Sequence, residues 1–433
     1  MSATLFANGR IVDVREGVTR EAVVLVRDGR IASVDPGPPS PRRPEAGADT
    51  DAARGPEDVA VVDLGRRYLV PGLITAHAHP GLMEGFRNDT AGLDEARMRR
   101  DLRLWARFGV TTVQGLGTDR PFGFDVMRDR RPDEARYLTV GHGFGVQDGA
   151  PPLHIDPPGP YRVSDPGFIR DALRALRDEG ASGVKIWFDD WYGQMPRMTA
   201  DVARTVIETS AALGLRTYAH VYRVDDAKEL VRLGIRTLAH MPRDRVADAE
   251  LWSLMRERQV AVLPTLVVPD SNIVWLDRPA FLDDPLFQLA VGRDAPAFLR
   301  SDAFHASIRG KREFARLRPD LVDAMANVAG AYREGVQIGF GTDAGVSQRT
   351  VGYGEHRELE LLTECGVPPR DAIRMATLGS AEVLGRDDRG EIAPGRLADL
   401  LVLREDPFED VRALRTIDSV WIDGTQVAGA LQP

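Results

Sequence analysis

Apolar runs recur through the middle of the chain at a nearly regular interval, and segments of helical periodicity separate most of them. Read as strands they are LVPGLITAHAH (69–79), GVTTVQGLG (109–117), YLTVGHG (137–143), GVKIWF (183–188), RTYAHV (216–221), IRTLAHM (235–241), VAVLPTLVV (260–268) and VQIGFGTDAG (336–345). LDEARMRRDLRLWARFG precedes the second strand, TADVARTVIETSAALG precedes the fifth, and DDAKELVRLG links the fifth to the sixth. Eight strands with helical connections predict an α/β protein built on a closed (β/α)8 TIM barrel. An open doubly wound sheet is the alternative, but no Gly-rich phosphate fingerprint follows the first strand.

The two ends of the chain carry a different pattern. TLFANGRIVDV and EAVVLVRDGRIASVD read as short strands, with the NG and DG pairs as turns. GEIAPGRLADLLVLREDPFED and IDSVWIDGTQVA return to β pattern with a second DG turn. These segments predict a small β-sandwich domain composed of residues 1–68 and 391–433, flanking a barrel over 69–390. Residues 36–58, rich in Pro, Ala, Gly and Asp, read as a solvated loop and a flexible insertion. The connection at 269–330 is too long for a plain loop and holds WLDRPAFLDDPLFQL and AFLRSDAFHASIRGKREFARL, which predict extra helices. They serve either as a structural insertion or dimer contact, or as a lid over the barrel mouth.

Composition narrows the classes. The chain has 433 residues, 43% hydrophobic and 28% charged, the balance of a soluble globular protein. A net charge of −9 argues against a nucleic-acid or anionic membrane partner. Cys365 is the single cysteine, so no internal disulfide forms, which fits a reducing cytoplasm. The N-terminus shows no signal-peptide pattern, and no apolar run approaches the roughly 20 residues that span a bilayer. The expectation is a cytoplasmic protein acting on a small molecule. Whether it is monomeric or a homo-oligomer is left open.

The chemistry starts from Lys185. The chain has only three lysines, Lys185, Lys228 and Lys311, against 53 arginines, and Lys185 sits inside an apolar strand. A buried amine can lose its proton, become a nucleophile and take up carbon dioxide as a carbamate, an anionic oxygen ligand able to bridge two cations. His77 and His79, two apart on a strand, leave its same face. His220 ends the fifth strand, His240 the sixth, and Asp343 the eighth, in GFGTDAG, where glycines leave room near the axis. Any one of these is an ordinary polar strand residue. Six together, all metal ligands or a ligand precursor on strands 1, 1, 4, 5, 6 and 8, predict a centre for two divalent cations, Zn²⁺ first. A bridging hydroxide would be the nucleophile, with Asp343 as general base and then acid.

VPGLITAHAH, VKIW, YAHVY, LAHM, GTDAG and the tail ATLGSAEVLG…GEIAPGRLADLLVL together resemble the amidohydrolase superfamily over nearly the whole chain. The nearest branch resembles imidazolonepropionase-related and prolidase-like binuclear hydrolases. The resemblance implies that His77 and His79 bind the more buried ion, that N6-carboxylated Lys185 bridges, and that His220 and His240 bind the second ion. Asp343 would complete the first site. Imidazolonepropionases hold one metal and lack the lysine, so Lys185 argues for the two-metal branch. By position, His142 and Tyr222 would lie near the substrate, His142 with a catalytic oxyanion role or as a structural histidine, Tyr222 as a contact or a packed aromatic.

One departure follows the fourth strand, where WFDDWYGQMP (187–196) replaces an expected Gly-rich loop. Trp187, Trp191 and Tyr192 would cover an apolar substrate. Asp189 and Asp190 would attract a cation or repel a carboxylate, or form a solvated acidic loop, which puts an α-carboxylate substrate in doubt. His154, His305 and His356 have no assignable partner and read as surface residues. Specificity is expected in loops 80–95, 144–165, 187–198 and 269–330. The expected activity is hydrolysis of a C–N bond in an amide, dipeptide or related small molecule. Alternatives are a lactonase or esterase on the same site, a mononuclear deaminase and, remotely, a non-catalytic scaffold.

Overall fold

The computed structural model describes residues 3–36, 59–152 and 159–432. Most of the expected loop at 36–58, and His154, lie outside the described residues.

Both ends of the chain enter one eight-stranded sheet. Ala3–Asp13 pairs antiparallel with Val18–Arg27 and parallel with Val59–Asp63 and Tyr68–Pro71. Tyr68–Pro71 in turn pairs antiparallel with Leu400–Leu403, which continues to Ile417–Ile422 and Thr425–Ala428. Alternation puts Phe6, Ile11, Val24, Val26, Leu69, Leu400 and Val402 into one apolar cluster. The two DG pairs turn as expected: Asp28–Gly29 (φ 49° and 78°) and Asp423–Gly424 (φ 48° and 67°). The NG pair does not. Asn8 (φ 59°) lies within Ala3–Asp13, at a register shift between Phe6 and Gly9. Gly9 is needed there because a Cβ would sit 2.5 Å from Leu64, so the pair makes a bulge rather than a turn.

The apolar run at 69–79, read as one strand, is two. It breaks at Gly72, where a Cβ would lie 2.2 Å from Thr111 Oγ1. Tyr68–Pro71 belongs to the terminal sheet, and the rest begins a parallel series: β1 (Leu73–Ala78), β2 (Val110–Gly115), β3 (Arg136–Thr139), β4 (Val184–Trp187), β5 (Thr217–His220), β6 (Thr237–Leu238) and β7 (Ala261–Val262). Pairing runs in parallel through β1, β2 and β3, and through β4, β5, β6 and β7. The expected eighth strand, 336–345, is not continuous; its three glycines and the left-handed Asp343 (φ 59°) break the ladder. It meets its neighbours through isolated parallel bridges, Ile338 to Val262 and Ala344 to Ala78. The arrangement is an α/β fold consistent with a TIM-barrel-like domain.

Helices connect the strands where periodicity placed them: Glu95–Arg107, Ala200–Ala212 and Val224–Arg232, with Pro166–Glu179 and Ala249–Glu257 in addition. Asp94, Asp165, Thr199 and Asp248 cap four of these by accepting from backbone N–H groups three residues on. The long connection holds short helices and then Phe314–Arg333. Trp275, Phe281, Phe287 and Tyr353 pack edge-on and tilted to fix it against the helix Tyr353–Glu364. His305 and His356, expected at the surface, are both buried, with Nε2 2.9 Å from the carbonyl oxygens of Leu299 and Phe108 respectively. A backbone acceptor satisfied in the interior leaves no trace in sequence. Among the described residues no helix is long and apolar enough to cross a membrane.

Candidate metal centre

All six residues singled out by their strand positions are buried. His77 lies within β1 and His79 just beyond it, and Asp343 reaches both, its Oδ1 3.0 Å from His77 Nε2 and 2.7 Å from His79 Nε2. Their donor atoms lie within 4.8 Å of one another, a candidate metal-binding triad. Glycines allow this approach. A Cβ on Gly341 would stand 2.8 Å from His77 Cβ, and one on Gly345 (φ 96°) would stand 2.2 Å from the His79 carbonyl oxygen. Gly345→Ala is therefore expected to destabilise the fold by about 1–3 kcal/mol and to pull Asp343 from the histidines. Thermal melting and metal content check this; wild-type values for both would remove the packing argument.

The other histidines continue the cluster. Ring centroids of His77 and His240 are 4.9 Å apart, and those of His240 and His220 4.4 Å. Lys185, 1% exposed on β4, places Nζ 3.4 Å from His77 Nε2. The strand register sets Trp187 beside His220 and Lys185 beside Tyr218.

Each imidazole has one nitrogen held by a group outside the cluster. Nδ1 of His77 is 2.9 Å from the Ala239 carbonyl, Nδ1 of His79 is 2.6 Å from Thr118 Oγ1, and Nδ1 of His240 is 2.7 Å from Thr265 Oγ1. Thr265 donates its own hydroxyl proton to the Pro264 carbonyl, so it must accept from His240. These three rings keep Nε2 for the centre. His220 is reversed, with Nε2 2.8 Å from Asp189 Oδ2 and Nδ1 kept. One nitrogen held by a protein oxygen and the other turned to a cluster of further donors is the arrangement that orients imidazoles toward a cation, so the donor set fits divalent metal.

Electrostatics agree with that fit. Burial, reinforced by the Lys185 charge, lowers His77 to about 3, and burial holds His220 and His240 below their ordinary value. All three are thus neutral, the ligating form. Burial pushes the Lys185 amine down to about 7, with Asp343 offsetting part of the effect. Burial raises Asp343, but the Arg349 guanidinium foremost, with the adjoining histidines, outweighs it and holds the carboxyl well below the usual range.

Arg349 pairs with Asp343 twice, Nη2 to Oδ2 at 2.9 Å and Nε to the backbone oxygen at 2.8 Å. Arg349, Thr118, Thr265 and the Asp189–His220 pair were not foreseen. Among so many arginines one more six residues past Asp343 carries no signal, and the threonines sit in unremarkable loop positions.

The residues expected near a substrate have the following surroundings. His142 is buried with Nδ1 unpartnered, its ring edge-on to Tyr161 at 5.2 Å, and burial lowers its pKa. Trp187 is buried beneath the cluster, its ring 5.6 Å from Lys185 Nζ. Tyr222 donates its hydroxyl to Asp320 Oδ1 at 3.0 Å, and Tyr192 donates to Oδ2 at 2.7 Å. Both acids of the 187–196 segment have partners, and Asp189 is withdrawn from solvent as a loop carboxylate would not be. Asp189 is buried against His220, and Asp190 accepts from Arg223 at 2.9 Å, because the segment folds back over the end of β5.

Known proteins are similar to this chain in sequence and fold. An uncharacterised protein of Mycobacterium tuberculosis (strain ATCC 25618 / H37Rv) is 27% identical, the match covering 92% of this chain and 90% of that one. Ochratoxinase of Aspergillus niger is 23% identical over 83% of this chain and 76% of its own. The crystal structure of a Xaa-Pro dipeptidase with bound methionine superposes with a TM-score of 0.74 at 22% identity, covering 99% of this chain and 100% of that one. The Amidohydrolase family model matches residues 68–427. The chain belongs to the amidohydrolase family of metal-dependent hydrolases.

Proposed function

We propose that this protein hydrolyses a C–N bond of a small amide, dipeptide or related compound at a two-metal centre held by His77, His79, Lys185, His220, His240 and Asp343. The carrying observation is the Lys185 amine, buried and 3.4 Å from His77 Nε2 among neutral imidazoles. A salt-bridging role would give it a carboxylate within reach, and no ion pair to it is found among the described residues. Carboxylated at N6, Lys185 would supply the anionic oxygens that two neighbouring cations need, Zn²⁺ best suiting the imidazole donors. When bound, the cations would bring the pKa of water to about 7 and polarise the scissile carbonyl.

Asp343 moves the proton. It takes one from the attacking water as the water oxygen joins the carbonyl carbon, and delivers it to the nitrogen as the C–N bond breaks, leaving an acid and an amine. His142, with its free Nδ1, is assigned to the substrate carbonyl side. Tyr222 borders the substrate, and Trp187 forms a buried wall. The isolated bridges on both sides of 338–344 support closing the eight segments into a barrel over 69–390, with the terminal sheet as its companion.

Asp189, expected at the substrate, is reassigned to orient His220. Asp189→Asn is expected to weaken divalent-ion affinity about 10–100-fold, measured by competition with a chromophoric chelator. Unchanged affinity would remove that role.

The likeness to a Xaa-Pro dipeptidase supports a peptide-like amide over an ester. The test is hydrolysis of matched amides and esters by metal-loaded enzyme. Turnover of acyl-amino acids or dipeptides is expected; turnover of esters or lactones alone would replace this reading with the esterase one. About one equivalent of metal and a deaminated heterocycle as product would replace it with the mononuclear one.

A further inference from the structure

Arg243 is 7% exposed, three residues beyond His240, and its guanidinium has no hydrogen bond and no ion pair among the described residues. It lies over an aromatic face, the Tyr222 ring 5.2 Å from Cζ. Its backbone N–H donates to the Tyr222 carbonyl at 2.9 Å, which fixes where the side chain starts. Its charge is felt by Asp189, His220 and Arg349, which puts it within electrostatic reach of the candidate metal centre.

Every acid near it is already engaged. Asp189 holds His220, Asp190 holds Arg223, and Asp320 takes both tyrosine hydroxyls and Arg316. A guanidinium stays charged in a protein, and one out of water without an anion is costly. Other buried arginines of the chain meet this demand: Arg99 pairs with Glu134, and Arg349 with Asp343. We propose that Arg243 is a specificity-determining anchor for an anionic group of the substrate, a carboxylate carried beside the scissile amide. A planar carboxylate matches the guanidinium fork with two parallel hydrogen bonds, and the tyrosine face holds that fork in place. The acidic 187–196 segment, which in sequence argued against a carboxylate substrate, is neutralised by its own partners.

The inference rests on the amide-hydrolase reading for its placement, but its test does not need turnover. Binding of the N-acetyl derivatives of glycine, leucine and phenylalanine, each as free acid and as carboxamide, is measured by calorimetry on metal-free protein. Removing metal prevents the cations from collecting the carboxylate themselves. At least one free acid is expected to bind on the order of 10- to 100-fold tighter than its carboxamide. In Arg243→Met that preference is expected to fall to within about threefold. Arg243→Gln carries the same test should the Met variant fail to fold. No acid preference in wild type, or a preference kept in the folded variant, overturns the assignment. Failure of metal-loaded enzyme to cleave any amide, with acid preference intact, would remove the hydrolytic reading and leave Arg243 as an anion site.

Discussion

Asp343→Asn is expected to lower kcat on any amide substrate about 10²–10⁴-fold, the range that a positioned proton carrier supplies. The carboxamide has the same shape, so the left-handed backbone and the approach of the 341–345 segment to β1 are kept. What changes is chemistry. Asn cannot take the proton from water or return it to nitrogen. Arg349, which meets Oδ2 at 2.9 Å, also loses its counter-charge in the interior. Metal content must be measured beside kcat, since Asp343 is both proton carrier and donor. A variant within tenfold of wild type at equal metal content would remove Asp343 from the chemistry.

Lys185→Ala is expected to lower bound metal from about two equivalents to one or none and to cost at least about 100-fold in kcat/KM. Alanine removes the amine without adding a group that competes for the four imidazoles. The wild-type protein should show a matching pH dependence. Burial puts the amine near 7, so below that pH the ammonium form dominates and cannot add carbon dioxide. Metal uptake that depends on bicarbonate should therefore fall as pH drops through about 7, and the variant should show no bicarbonate dependence. Two equivalents of metal and full activity in Lys185→Ala would sink the two-cation arrangement.

What the sequence discloses and what it conceals divide along a physical line. Strand periodicity is local, so the segments bearing His77, Lys185, His220 and His240 were legible, as was the grouping of their side chains at one end of parallel strands. Closeness in space was legible only through glycine. GFGTDAG announced that something approaches tightly, and Gly341 and Gly345 are indeed where β1 leaves no room for a Cβ. The break at Gly72 was hidden because apolar residues on both sides satisfy two different sheets equally well. The NG pair was misread because its left-handed preference suits a bulge as well as a turn. Asp189 and Arg243 were illegible for a deeper reason. A charged residue in a loop reads as solvated until the fold shows what surrounds it. Here one acid was found supporting an imidazole, and one cation with no acid partner among the described residues.

The terminal sheet has a consequence for how the protein is made. Tyr68–Pro71 leads through Gly72 straight into the strand that carries His77, yet it is held on one side by Leu400–Leu403, a segment synthesised long after it. A nascent chain thus lacks the clasp on the strand bearing His77 until residues 400–403 have left the ribosome. A cut that removes residues 400–403 would therefore loosen the strand bearing His77 from more than three hundred residues away in sequence.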